Sequence, residues 1–233
     1  MTSMKKIGLI GGMTWESTLE YYRIINESVK EKLGGLHSAD CVLFSFDFAN
    51  IEKLQIRRKW GELTNLMIDA AQILEKIGAE FIVICTNTMH KMADETQSSI
   101  EIPILHITDV TAEEIIEKGL TKVGLLGTIF TMEENFYKKR LKDKYGIDTI
   151  IPSKNEREII NNIIYKELSH GITKQSSKEK YIEIINNMLS RKAEGIILGC
   201  TEIPLLIKQK DVNSPVFDTT MIHAKAAVEY ATK

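Results

Sequence analysis

Short unbroken apolar runs alternate along this chain with longer stretches of helical period. Lys6-Ile7-Gly8-Leu9-Ile10-Gly11-Gly12-Met13 reads as a buried strand ending in a glycine turn. Thr14 then caps a helix running to about Leu33, with Leu19, Tyr22, Ile25, Val29 and Leu33 as its apolar face. Gly34-Gly35 ends it. Ala39 to Phe48 is a second strand-like run, and Asn50 to Trp60 is a polar stretch expected to form an active-site loop. Leu63 to Ile77 has an amphipathic helical pattern and stops at Gly78. A strand then runs to Thr86, Asn87-Thr88 opens a helix, and Ile102 to His106 is the next strand. Isoleucine-rich runs of this length suit parallel strands buried on both faces.

The pattern then repeats. Thr121 to Thr128 matches Lys5 to Gly12, Ala193 to Glu202 matches Ala79 to Thr88 without a gap, and Ser214 to Asp218 matches Ile102 to His106. Three matches in the same order at a nearly constant offset predict two similar halves. The expected fold is therefore α/β: two pseudo-symmetric three-layer α/β/α halves with parallel sheets and an interdomain cleft. Residues 1–108 plus 215–233 form the first expected domain and 109–214 the second, with Asp109 to Gly119 as a connecting helix. In this register Thr86, not Cys85, is the partner of Cys200, and Cys85 pairs with Gly199. Both ends fall where ligands bind in open α/β sheets, just past the carboxyl ends of strands. Thr86 and Cys200 are expected to meet from opposite sides of the cleft.

Composition narrows the partners. A net charge of −2 over 233 residues offers no basic surface for nucleic acid or an acidic membrane. No window approaches the roughly 20 apolar residues of a membrane span. The start shows no signal-peptide pattern, and three widely spaced cysteines (Cys41, Cys85 and Cys200) form no disulfide framework, so a reducing cytoplasm is expected. His37, His90, His106, His170 and His223 lack metal-ligand spacing, so no metal is expected. The opening glycines lack the third glycine of the dinucleotide pattern, and neither a P-loop nor a pyridoxal-lysine signature stands out, so no cofactor is expected.

Matched polar groups on two sides of a cleft suit a planar intermediate attacked from either face, which is racemisation. A thiol has a pKa of about 8.5, which helix N-termini lower, so it suits proton removal from carbon. Three motifs carry a resemblance: Gly8 to Thr18, Cys85-Thr86-Asn87-Thr88-Met89-His90-Lys91, and Gly199-Cys200-Thr201-Glu202. Over essentially its whole length the chain resembles the cofactor-independent aspartate/glutamate racemases of the Asp/Glu/hydantoin racemase superfamily. It is most similar to the L-aspartate/glutamate-specific subgroup. The family's usual Cys-Asn-Thr-x-His reads here Thr86-Asn87-Thr88-Met89-His90, so Thr86 replaces the first cysteine, as it does in that subgroup. The resemblance implies a small-molecule amino-acid substrate, no pyridoxal phosphate and a homodimer. A hydroxyl is a weaker acid than a thiol. Cys200 is therefore expected to remove the α-proton and Thr86 to return one, with the L form favoured.

Carried over residue by residue, Asn87, Thr88, Thr128 and Thr201 hold the α-carboxylate and ammonium, with helix capping as their other reading. Met13 lines the cleft or packs in the core. Gln55, with Arg57 and Arg58 behind it, takes the slot of an arginine for the side-chain carboxylate. The family's basic residue in the second half falls on Ser169, with Lys166 as a substitute. His90 orients the site or packs a helix. Glu202 caps its helix or polarises Cys200. Cys41 is expected buried and inert, and Glu133 and Glu134 are read as a helix first turn. Two other functions stay open: an arylmalonate-decarboxylase-like lyase, which keeps only the second cysteine, and a non-catalytic amino-acid-binding protein.

Overall fold

Each apolar run becomes a parallel strand, and α-helices bridge successive strands except β7 and β8, which are joined by 3₁₀ turns. The structure is a computed structural model and describes residues 4–233. In order the elements are β1 (Ile7–Gly11), α1 (Trp15–Leu33), β2 (Cys41–Ser45), α2 (Phe48–Ile56), α3 (Trp60–Lys76), β3 (Phe81–Ile84), α4 (Ala93–Gln97), β4 (Ile104–Leu105) and α5 (Ile107–Glu117). The second set is β5 (Lys122–Gly127), α6 (Ile129–Glu133), α7 (Asn135–Tyr145), β6 (Asp148–Ile150), α8 (Lys154–Lys166), α9 (Gln175–Ser190), β7 (Gly195–Gly199), β8 (Val216–Asp218) and α10 (Thr219–Ala231). They make two four-stranded, all-parallel sheets, ordered β2-β1-β3-β4 and β6-β5-β7-β8. Helices cover both sides of each sheet, so the central strands β1, β3 and β7 are buried along their whole length.

The duplication holds down to single ladder pairs. Ile7 faces Phe81 and Ile10 faces Ile84, while Val123 faces Gly195 and Leu126 faces Leu198. These pairs correspond one for one under the sequence repeat. A reciprocal clamp sets the register in each sheet. Lys6 N–H donates to Glu80 Oε2 (2.7 Å), and Glu80 N–H donates to Lys6 O (2.9 Å). In the second sheet Thr121 and Lys122 N–H donate to Glu194 Oε2 (2.8 and 2.9 Å), and Glu194 N–H donates to Lys122 O (2.8 Å). The two backbone donors hold the Glu194 carboxyl below its usual range.

The compact units are residues up to Ile107 with His223–Lys233, and Thr108–Ile222. This corrects the expected assignment of 215–222. Val216–Asp218 pairs with β7 in the second sheet, as the repeat of Ile102 to His106 requires. In the first unit Ile10, Ile82 and Ile84 pack against α2 and α3; in the second Leu126, Ile196 and Leu198 pack against α8 and α9.

Three expected local features are corrected. The buried side of α1 is Ser17, Thr18, Tyr21, Ile24, Ile25 and Val29, while Leu19 and Tyr22 are about half exposed (53% and 50%). Polar contacts fix this rotation: Thr18 Oγ1 accepts from Gly12 N–H (2.8 Å), and Tyr21 reaches His223. Asn50 to Ile56 is helical, not loop, because Asp47 caps α2 through Ala49 N–H (3.1 Å) and Ile51 and Gln55 bury one face. Glu133 closes α6 and pairs with Arg157 (2.8 Å), so only Glu134 stands at a helix start, at the N-cap of α7.

His223 ties α10 and α1 to β4 inside the first unit. Its Nε2–H donates to Leu105 O (2.8 Å), which leaves Nδ1 to accept from Tyr21 Oη (2.9 Å). Burial pushes this imidazole down to about 4 from an ordinary 6.5. The folded state therefore binds the neutral ring, and the unfolded chain takes up the proton first as pH falls. Stability should be full above about pH 6.5 and decline toward pH 4 by roughly 3 kcal/mol. Urea unfolding of wild type and His223→Gln across this range measures it: the decline should be distinctly shallower in the variant.

Candidate active site

Two strand ends hold the candidate residues Thr86 and Cys200, and the ladders make them equivalent. Gly127 faces Gly199 in the second sheet, and its counterpart in the first is Gly11 beside Cys85, whose N–H donates to Ile10 O (2.9 Å). Thr86 therefore occupies, one residue on, the station of Cys200. The two ends differ in backbone. β3 stops at Ile84, where Thr86 N–H turns back onto Ile84 O (2.9 Å), whereas β7 continues to Gly199. Cys85 is fully buried, its Sγ 3.8 Å from Val83 O, and burial pushes its thiol far above the usual range.

At the second end a glycine is required. A Cβ on Gly199 would lie 2.7 Å from Leu126 O and 2.8 Å from Leu125 Cδ1. Cys200 follows, 7% exposed, and its Sγ–H donates to Glu202 Oε2 at 2.9 Å. Thr201 Oγ1 donates to the same oxygen at 3.0 Å. Burial, then the Glu202 charge and hydrogen bond, push the Cys200 thiol well above its usual range. Tyr181, buried among the same side chains, is raised by burial and then by Cys200 and Glu202. Its hydroxyl makes no hydrogen bond among the described residues. Glu202 stands at the N-cap position of the single 3₁₀ turn Ile203–Leu205 without a side-chain cap bond, and its carboxylate accepts from Cys200 and Thr201.

At the first end an imidazole fixes the backbone. His90 Nε2 accepts from Ile107 N–H (3.2 Å), so Nδ1 carries the proton and donates to Thr86 O (2.7 Å). His90 is 3% exposed and its ring meets those of His106 and His223 edge-on, with centroids 4.6 and 5.7 Å away. It orients the Thr86 segment as well as packing a helix. The His223 contact, 133 residues away, had no signal in the sequence.

The remaining predicted residues fall as follows. Thr86, Asn87, Thr88 and Gln55 lie buried in the first unit, and Thr128, Thr201 and Cys200 lie buried in the second. Thr128 caps α6 through Thr131 N–H (3.3 Å). Asn87 stands at an N-cap position without a side-chain cap bond. Gln55 sits on the inner face of α2, its amide 3.4 Å from Met89 Sδ, while Arg57 and Arg58 are exposed. Met13 packs in the first unit's core with Ile10 and Ile51. Ser169 lies in a 3₁₀ turn, and Lys166 ends α8 in solvent. Cys41 is half-buried rather than buried, because β2 is a sheet edge. Among the described residues no group of three or more His, Cys, Asp or Glu side chains is placed to hold a metal ion. No described helix is long and apolar enough to cross a membrane.

Comparison with known proteins fits this architecture. The Asp/Glu/hydantoin racemase profile matches residues 10–227, and the chain belongs to that family. A candidate Asp/Glu racemase from Yersinia pestis is 51% identical, with TM-score 0.92 over 99% of this chain and 100% of that one. An aspartate racemase homologue from Pyrococcus horikoshii is 40% identical, with TM-score 0.86 over 99% and 100%. The broad-specificity amino-acid racemase RacX of Bacillus subtilis is 30% identical over 72% of this chain and 71% of its own. Family and relatives together define the class as amino-acid racemase.

His90→Leu leaves Thr86 O and Ile107 N–H without their partner, each worth about 1–3 kcal/mol when buried. Thermal unfolding should show a loss of this order. His90→Gln, which can both accept and donate, should restore part of it.

Proposed function

We propose that the chain racemises aspartate and glutamate without pyridoxal phosphate, with the L-enantiomers favoured. The observation that carries this reading is the equivalence of Thr86 and Cys200 at matched strand ends, one a hydroxyl and the other a thiol. The relatives named as aspartate racemase homologue and broad-specificity amino-acid racemase support it.

Racemisation needs one group to take the α-proton and another to return one to the opposite face of a planar carbanion. The Cys200 thiolate takes the α-proton, becoming the thiol, and releases a proton to solvent before the next turnover. The Thr86 hydroxyl delivers a proton to carbon and is resupplied from solvent, so one proton enters and one leaves per turnover. The thiol is the stronger acid–base group, and so the enantiomer that presents its hydrogen to Cys200 reacts faster. Asn87, Thr88, Thr128 and Thr201 bind the α-carboxylate and ammonium through hydroxyl, amide and helix-start N–H groups. Gln55, uncharged and buried on α2, takes the side-chain carboxylate and admits both chain lengths. Met13 supports the first strand end by packing. The working form is a cytoplasmic homodimer.

The test is α-proton exchange by NMR in D₂O with L- and D-aspartate and L- and D-glutamate. Wild type should exchange L-substrates faster, Cys200→Ala should lose exchange, and Thr86→Ala should lose roughly 100-fold of racemisation. Thr86→Cys should raise exchange of the D-substrates. Equal wild-type exchange from both enantiomers removes the asymmetry. No exchange with any of the four removes the racemase reading in favour of a lyase or a binding protein.

A further inference from the structure

We propose that the groove between α7 and β6 in the second unit binds a phosphate group, free or carried on a small molecule, through Lys138, Lys139, Lys142 and the Thr149 hydroxyl. The site shares no residue with the two strand ends, and the inference does not rest on the racemase reading. A surface cavity of 410 Å³ opens there, lined by Asn135, Lys138, Lys139, Lys142, Asp143 and Thr149. Small-molecule sites run from about 300 to 1,000 Å³, so a phosphate and an organic part both fit. The five lining residues of α7 recur at helical spacing and share one face, and β6 is the edge strand of its sheet.

Three observations converge. First, positive charge is crowded. Lys138 and Lys139 each stand one helical turn from Lys142, and like charges at that spacing destabilise a helix. Burial, and then the Arg157 charge, hold the Lys138 ammonium below its usual range. The partner of Lys138 is neutral, the Glu133 backbone oxygen at 2.9 Å, because the Glu133 carboxylate pairs with Arg157 at 2.8 Å. Second, the anions present do not balance the cations. Asp148 pairs with Lys142 at 2.7 Å, Asp143 is the one carboxylate in the lining, and exposed Lys139 forms no ion pair among the described residues. Third, Thr149 Oγ1 is shut off from water and makes no hydrogen bond among the described residues, an arrangement that costs stability until a ligand completes it. The lining also selects the anion. Lysine offers a compact charge with three donors, which suits a tetrahedral dianion. The planar fork that grips a carboxylate belongs to arginine, and no arginine lines the cavity.

The test is calorimetric titration of the full chain at fixed ionic strength with inorganic phosphate, glycerol 3-phosphate and acetate, with amide NMR shifts to place the binding. Both phosphates should saturate, acetate should bind at least about tenfold more weakly, and the shifts should centre on Thr149 and α7. Tighter glycerol 3-phosphate assigns the site to phosphomonoesters, and tighter inorganic phosphate to the free ion. Lys139→Gln combined with Lys142→Gln alters two exposed side chains and should weaken both phosphates at least about fivefold. Thr149→Val keeps the shape, removes the hydroxyl and should cost at least about threefold. Lys144→Gln, which lies outside the lining and pairs with Asp109, should leave binding within about twofold and so separates a site from general charge. No saturation by about 10 mM phosphate, shifts confined to the strand ends, acetate equal to phosphate, or a smaller loss in the double lysine variant overturns the proposal. If Thr149→Val does not fold, the double lysine variant decides alone.

Discussion

The register of two strand pairs is the constraint on which the rest depends. A one-residue slip in a parallel ladder turns every side chain to the other face. In each sheet a glutamate at the foot of the third strand grips the foot of the first, Glu80 on Lys6 and Glu194 on Thr121 and Lys122. Set at one end, the register is carried through five matched pairs in β5–β7 and four in β1–β3 to the other. It is there that Thr86 and Cys200 emerge. Exposed glutamates far from any chemistry thus determine which residue stands at each strand end.

From equivalent stations the two ends have diverged in physical character. At Cys200 the thiol is buried and donates a hydrogen bond to the Glu202 carboxylate; burial, and then that carboxylate, hold the thiol above its usual range. At Thr86 the neighbours fix backbone: an imidazole with a defined tautomer bridges Thr86 O and Ile107 N–H. One end pairs a thiol with a carboxylate, and the other fixes a backbone carbonyl.

Much of this was legible in the chain. Apolar runs gave the central strands, and the gapless repeat aligned Thr86 with Cys200, because buried parallel strands leave a strong, local signal. What failed depended on polar contacts between distant residues. Leu19 and Tyr22 look like the inner face of α1, yet Thr18 and Tyr21 turn the helix the other way by bonding Gly12 and His223. Asn50 to Ile56 looks like loop because only Ile51 and Gln55 mark its buried side. Glu202 looks like a cap because the sequence does not distinguish a 3₁₀ turn from a helix start. The strand at Val216 belongs to the second half, as its repeat of Ile102 to His106 implies, although it lies close in the chain to α10.

The glycine before Cys200 makes the kinship of the halves irreversible in one direction. A side chain at Gly199 would strike a backbone oxygen, while its counterpart Cys85 has room because β3 turns away one residue sooner. At this one position glycine fits either half, whereas a side chain fits only the first. Descendants of the longer strand are confined to glycine at that site for as long as the strand keeps its length.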